Sequence, residues 1–500
     1  MNNVLICAIC GALLGSAFCI PPTPDGILSF VLRLAVASAA LVGLGRTLSS
    51  IRNTKKGFCL GLTFGYSFIF VSLFGIYKAF QIVEKLGLFL PSLSVLGLLW
   101  GSMLGSVCAV QQLFLRWIDK NAAKWGLIDK NDGELGALSE AKKYGDVVPF
   151  FALSFTLGWT LFEFMRGTIF LPFPWNFVCH LFNFENSVVA QVFTMGVAPC
   201  RYFLSTVWCL LIFSFFCDKS KFLKCISSAI MFATVVSGIF ELRNAPEDPM
   251  KNFPVLYVDS DVDQADKINP ENKEAILQKM IYLTKKAKKK AKVPPRLIVW
   301  PETAITHMIT DENCEEIRRI REVAHEYLIF GADRIEKTKD GKVWHNSMFV
   351  VSKDKVEYVY DKVRLLPFGE YTPLRRFFET LAKKYGRGGT KSSSSTIGSI
   401  IESAFRQILN AIPKFFDGID CTPGKTWEPV VTVGNLPPFT PYICSEIIFR
   451  THQRSNARRS RAEGVIHISN TAWFSGTIKN QLHACSRATG FPPDTPENKS

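Results

Sequence analysis

The sequence predicts a multi-pass α-helical membrane bundle over residues 1–245, followed by a layered α/β domain over residues 246–488. Three observations carry this prediction. Charge is split along the chain, with 18 Lys+Arg and 11 Asp+Glu in residues 1–240 against 40 and 32 in residues 241–500. The charge-poor half contains several apolar runs near the roughly 20 residues that span a hydrocarbon core. Beyond residue 253 the pattern changes to short β runs alternating with amphipathic helices, the mark of a layered α/β fold. With 48% hydrophobic and 20% charged residues and a mean hydropathy of +0.16, the chain is neither disordered, collagen-like nor a small disulfide scaffold. A single soluble globule is excluded on the same ground.

Seven spans are expected, at Val4–Ile20, Ile27–Gly45, Gly57–Tyr77, Leu86–Leu115, Val147–Phe162, Ser187–Cys217 and Phe222–Phe240. No basic residue precedes the first run, and more spans follow it. It therefore reads as an uncleaved helix and not as a signal peptide. The alternate connections Arg46–Lys56, Arg116–Asp146 and Asp218–Lys224 carry four, six and three Lys/Arg, and the intervening ones carry none, two and one. The basic set reads as cytoplasmic, which puts the N-terminus inside and residues beyond Glu241 outside. Ten of the 14 cysteines fall within residues 1–225, where they serve as small apolar side chains and form no disulfide framework.

In the charged half, Pro254–Val258, Arg296–Trp300, Leu328–Ala332, Pro429–Val433, Thr440–Cys444 and Val465–Ser469 read as strands, and Ser347–Ser352 with Val356–Asp361 as a hairpin. Pro270–Lys292 and Glu312–Tyr327 read as helices. Residues 381–422 read as an insertion: a Gly/Ser/Thr-rich stretch, then an apolar stripe from Ile397 to Phe416 that suits a packed helix or a lipid-touching flap. The Lys285–Lys292 run is a solvated helix end, with no nucleic-acid partner expected, and the seven His show no metal-ligand spacing.

Three reactive side chains stand at predicted strand ends: Glu302 after Leu297–Pro301, Lys362 after Tyr358–Asp361, and Cys444 after Thr440–Ile443. A thiol that must lose its proton to attack a carbonyl, a carboxylate to take that proton and an ammonium to face the developing oxyanion suit acyl transfer.

The flanking residues carry a resemblance. Val299-Trp300-Pro301-Glu302, Asp361-Lys362-Val363-Arg364-Leu365-Leu366-Pro367-Phe368-Gly369-Glu370-Tyr371 and Ile443-Cys444-Ser445-Glu446 resemble the Glu-Lys-Cys signatures of the nitrilase (carbon–nitrogen hydrolase) superfamily. Glu163-Phe164-Met165-Arg166-Gly167 running on to Phe173-Pro174-Trp175, together with Ser469-Asn470-Thr471-Ala472-Trp473-Phe474, is similar to motifs of its membrane-embedded branch, the apolipoprotein N-acyltransferases. The resemblance implies an α-β-β-α sandwich for the second domain. It implies Cys444 as nucleophile, Glu302 as general base, Lys362 as oxyanion stabiliser, Glu370 and Glu446 as supporting carboxylates, and Glu163, Arg166 and Trp175 as a loop motif between membrane helices. It implies a phospholipid acyl donor, a diacylated apolipoprotein acceptor, no cofactor, and a bacterial inner membrane with the catalytic domain on the periplasmic face.

The chain departs from the family pattern at Ser445 (usually Tyr), at Thr471 (usually Asp) and in the 381–422 insertion. Residues 489–500 are polar and Pro-rich, and they read as a truncation of a domain that continues in the family. A membrane-tethered carbon–nitrogen hydrolase of the same fold and an inactive truncated membrane protein remain open as alternatives.

Overall fold

The computed structural model describes residues 2–23, 26–82, 89–121, 151–169, 172–183, 192, 201–217, 221–243, 253–260, 262–339, 341–367, 369–371, 420–449 and 464–487. The insertion core at 381–419 and the polar tail at 489–500 lie outside them. The chain divides into two compact units. One holds the described residues of Met1–Tyr77, Phe89–Ala245 and Ser475–Pro493, the other those of Lys78–Leu88 and Pro246–Phe474.

In the first unit each of the seven apolar runs contains a helix: Asn3–Ala17, Ile27–Ser49, Thr54–Ser72, Phe89–Asn121, Phe151–Thr168, Arg201–Phe216 and Lys221–Arg243. Among the described residues, Ile27–Ser49, Phe89–Asn121 and Lys221–Phe240 are long and apolar enough to cross a membrane. Thr54–Ser72 with Phe74–Ile82, bent by 41°, passes the same test as a pair and would make a fourth if the two are one span. Asn3–Ala17 and Tyr202–Phe216 are shorter apolar helices. Caps set two of the starts, because Asn2 and Asn53 side chains accept from Val4 N at 3.1 Å and Lys56 N at 3.0 Å. Glycines four apart set one close pairing. A Cβ at Gly61 would stand 2.9 Å from Gly105 Cα, and one at Gly65 would stand 2.7 Å from Gly101 Cα, so Thr54–Ser72 and Phe89–Asn121 touch backbone to backbone.

An eighth helix, Gly476–Arg487, also belongs to this unit. The cause is burial: Ile478, Leu482, Ala484 and Cys485 are buried, as is Gln481, whose side chain is 2.9 Å from Trp175 Nε1 and 2.8 Å from Ser72 O.

The second unit is built on a five-stranded sheet of β1 (Val255–Tyr257), β2 (Leu297–Val299), β3 (Tyr327–Thr338), β4 (Gly341–Ser352) and β5 (Val356–Asp361), in that order. β1, β2 and β3 are parallel, and β4 and β5 add antiparallel. β6 (Phe439–Ile443) and β7 (Gly464–Ile468) form a separate parallel pair. Strand alternation makes the layers. Ile298, Trp300, Leu328, Phe330, Phe349 and Val351 share one core with Leu277, Met280 and Ile281 of the Lys273–Lys290 helix and Ile317 and Ile320 of the Glu315–Val323 helix. Leu297, Val299, Ile329, Met348 and Val350 face the other way and share a core with Phe439, Ile443, Ile466 and Ile468. The described residues thus supply helix, sheet and sheet, three layers of the expected sandwich.

Three expected elements change. The predicted Leu328–Ala332 and Ser347–Ser352 strands are parts of a hairpin of two 12-residue strands paired from Tyr327↔Ser352 to Thr338↔Gly341. Its distal half is charged and partly exposed, which hid its strand character. Helix Glu312–Tyr327 contracts to Glu315–Val323, because Tyr327 enters β3. Pro429–Val433 is no strand; it makes the isolated bridge Val431↔Phe439.

Candidate active site

Glu302, Lys362 and Cys444 leave β2, β5 and β6 at their C-terminal ends, and all three are buried. The turn at Glu302 is forced close to β3. Trp300 N donates to Ile329 O at 2.8 Å, Gly331 N donates to Pro301 O at 3.1 Å, and Ala304 N donates to Gly331 O at 3.0 Å. A Cβ at Gly331 would lie 2.6 Å from Glu302 Cα, so only glycine lets the strand pass. Thr303, next in the turn, holds φ 50. Lys362 N donates to Asn346 O at 2.8 Å, extending the β4–β5 ladder one step beyond β5. Cys444 sits between β6 and the 3-10 turn Cys444–Phe449 with φ 50, a left-handed conformation unusual for a non-glycine residue. Its carbonyl accepts from His467 Nε2 at 2.9 Å.

The charged groups form one connected cluster. Lys362 Nζ donates to Glu370 Oε1 at 2.7 Å and lies 3.8 Å from Glu302 Oε1. Asn346 Nδ2 donates to both carboxylates, at 2.8 Å to Glu302 and 3.1 Å to Glu370. The remaining oxygens are also held: Asn470 N donates to Glu302 Oε2 at 2.8 Å, and Leu366 N donates to Glu370 Oε2 at 2.8 Å. Burial opposes the charge on Lys362, but Glu370, Cys444 and Glu302 outweigh it and hold the ammonium well above the usual lysine range. Burial, then Glu302, push the Cys444 thiol well above the usual range, and Lys362 pulls the other way. Cys444 therefore rests as a thiol.

Glu446 is fully buried beneath this cluster. Its Oε1 accepts from Tyr360 OH at 3.0 Å, Val363 N at 2.7 Å and Arg364 N at 2.9 Å, and its Oε2 accepts from Ile443 N at 2.9 Å. One carboxylate thereby ties the segment after Lys362 to the residue before Cys444. Burial pushes it up to about 7, against the pull of those backbone donors and Lys362. Asp361, next to Lys362, is held below the usual carboxylate range: burial raises it, but Arg334, bonded at 2.7 and 3.1 Å, and Ser347 at 2.6 Å overcome that.

Two of the departures from the family pattern, Ser445 and Thr471, fall at or beside this cluster. Ser445 is buried, and its hydroxyl has no hydrogen-bond partner among the described residues. Thr471 opens a short 3-10 turn capped by Asn470, whose side chain accepts from Ala472 N at 3.3 Å. Among the described residues no group of three or more His, Cys, Asp or Glu could hold a metal ion.

The loop motif gathers in the helical unit. Glu163 Oε1 accepts from Trp159 Nε1 at 3.1 Å and Val178 N at 2.8 Å. Arg166 donates to Trp175 O and Asn176 O, its guanidinium 4.8 Å from the Phe177 ring centre and 5.4 Å from that of Phe162. Trp175 stacks on Phe173, which stacks on Trp100, and its indole N–H donates to Gln481.

Sequence reasoning missed Asn346, the donor shared by two carboxylates. Its signal was the polar triplet His345-Asn346-Ser347 inside an otherwise apolar run. Gln264, whose Oε1 accepts from Asn470 Nδ2 at 2.7 Å, and Tyr360 were missed as well. Gln481, 306 residues from its partner Trp175, carries no local signal.

The family described as carbon–nitrogen hydrolase matches residues 263–492. The chain is 27% identical over 340 residues to the apolipoprotein N-acyltransferase of Rhizobium meliloti (strain 1021), covering 65% of this chain and 57% of that protein. It is 24% identical over 439 residues to that of Sinorhizobium fredii (strain NBRC 101917 / NGR234), covering 87% and 72%. To that of Brucella melitensis biotype 1 it is 28% identical over 337 residues, covering 65% and 56%. The matched region thus spans 57% of the length of the first of these relatives.

Proposed function

We propose that this chain, whose residues 263–492 match the carbon–nitrogen hydrolase family and which is similar to apolipoprotein N-acyltransferases, moves an acyl chain from a membrane phospholipid to the α-amine of a diacylglyceryl-cysteine at a lipoprotein N-terminus. The observation that carries this reading is the cluster of Glu302, Lys362 and Glu370 set around a buried thiol at Cys444.

The reaction runs in two halves. Cys444 Sγ attacks the donor ester carbonyl while Glu302 takes the thiol proton. Lys362, held by Glu370, faces the oxyanion, and charge developing in a buried site is stabilised far more than in water. The C–O bond then breaks, and Glu302 returns the proton to the departing lysophospholipid oxygen. In the second half the acceptor amine attacks the thioester carbon and yields its proton to Glu302. The C–S bond breaks and Cys444 regains the proton. Both substrates are lipid-anchored, which favours a bundle of seven spans with the catalytic domain on the periplasmic face of a bacterial inner membrane. The basic loops at Arg46–Lys56 and Arg116–Asp146 support that orientation, and Glu163, Arg166 and Trp175 shape the lipid-side loop.

The test is to incubate the purified full chain with a phospholipid carrying a labelled acyl chain and to map the label by mass spectrometry. Label on Cys444, lost in Cys444→Ala and chased onto a diacylated lipopeptide, is expected. Activity retained in Cys444→Ala would sink the proposal. A thioester formed from phospholipid that only water resolves would make the chain a hydrolase, and a wild-type chain that takes no label would make it inactive.

A further inference from the structure

His467 is the one polar side chain of β7, which reads Gly464-Val465-Ile466-His467-Ile468. Ile466 and Ile468 turn into the core shared with the five-stranded sheet. Strand alternation therefore sends His467 to the opposite face, level with Tyr442 of β6. From there its Nε2 stands 2.9 Å from the carbonyl oxygen of Cys444. A carbonyl only accepts, so the ring carries a hydrogen on Nε2 and donates it.

This contact falls at the strained point of the site. Cys444 holds φ 50, a conformation that a residue with a Cβ keeps only where its surroundings fix it. Two hydrogen bonds bracket that rotation. Before it, Ile443 N donates to Glu446 Oε2 at 2.9 Å; after it, the Cys444 carbonyl is held by His467. The peptide that follows is trans, so holding its carbonyl also sets the direction of the Ser445 N–H.

Resting on the acyl-transfer reading above, we propose that His467 is a positioning residue for Cys444: the imidazole clamps the carbonyl of the nucleophile's own residue and keeps the left-handed turn that aims the thiol. In this role it moves no proton and touches neither donor nor acceptor. It acts through backbone geometry, and a displacement of about 1 Å at a reacting group is enough to slow a reaction about a hundredfold. The clamp depends on where the hydrogen-bond donor stands. Glutamine carries its amide nitrogen at the ε position, the same number of bonds from the backbone as histidine Nε2, whereas asparagine carries it one bond short. Both variants lose the ring, so the difference between them reads the position of the donor.

The experiment is single-turnover acylation of Cys444 from a phospholipid with a labelled acyl chain, on the full chain in mixed detergent–phospholipid micelles. His467→Leu and His467→Asn should lower the rate at saturating phospholipid about tenfold or more, with the half-saturating concentration unchanged. His467→Gln should stay within about threefold of wild type, because it restores the donor. A wild-type rate in His467→Leu, a His467→Gln as slow as His467→Asn, or a loss confined to the half-saturating concentration overturns the proposal. If His467→Leu is not recovered folded, the glutamine and asparagine variants are read against each other. If the wild-type chain takes no acyl label, the functional reading has failed separately. Alkylation of Cys444 by iodoacetamide, mapped by peptide mass spectrometry, then reads the same order of variants, and equal rates in all of them overturn the clamp.

Discussion

Glu446 offers the sharpest single perturbation. Its carboxylate receives four hydrogen bonds, three from backbone amides and one from Tyr360, and is fully buried. Hydrogen bonds to charged groups contribute about 1.5–3 kcal/mol each. Glu446→Ala therefore removes about 6 kcal/mol at the low end of that range, a large part of the 5–15 kcal/mol that holds a typical domain together. Glu446→Gln is subtler. Its carbonyl can keep Val363 N, Arg364 N and Tyr360, but its NH2 then faces Ile443 N–H, losing one bond at about 2 kcal/mol. By hydrogen exchange, the Ile443 amide should then lose about thirtyfold in protection while Val363 and Arg364 keep theirs. In Glu446→Ala all three should exchange fast and acylation of Cys444 should collapse. Equal loss at Val363, Arg364 and Ile443 in Glu446→Gln would refute this account, as would full protection in Glu446→Ala.

Asn346→Leu leaves Glu302 and Glu370 without their shared donor, and acyl-enzyme formation should fall at least tenfold, measured by single-turnover labelling. Gly331→Ala drives a methyl into the backbone at Glu302, so labelling should be lost or the chain should fail to accumulate folded; wild-type labelling in a soluble variant would be the contrary result. Asp361 is depressed in the folded chain, so its contribution is present above its unfolded value and is lost as pH falls through the folded one. Arg334→Met should therefore lower the denaturant midpoint of the α/β unit at neutral pH, with the gap to wild type closing below about pH 4.

The positions of Glu302, Lys362 and Cys444 were legible because each follows a run of apolar or aromatic residues that reads as a strand, and the strand ends bring them to one place. Asn346 was not legible, because the predicted strand began at Ser347, one residue too late. The charged stretch from Asp333 to Lys342 carries no apolar alternation; its strands depend on cross-strand and sheet contacts such as Arg334 with Asp361, which no local pattern reveals. The packing of the Gly476–Arg487 helix was not legible for a similar reason. Its polar Gln481 looks solvent-facing until Trp175, Asn176 and Ser72 are seen around it.

The left-handed backbone at Cys444 sets chemistry against stability at a single residue. That conformation penalises any residue with a Cβ by about 1–2 kcal/mol and spares glycine. A dead Cys444→Gly chain is therefore expected to be more robust than the live one.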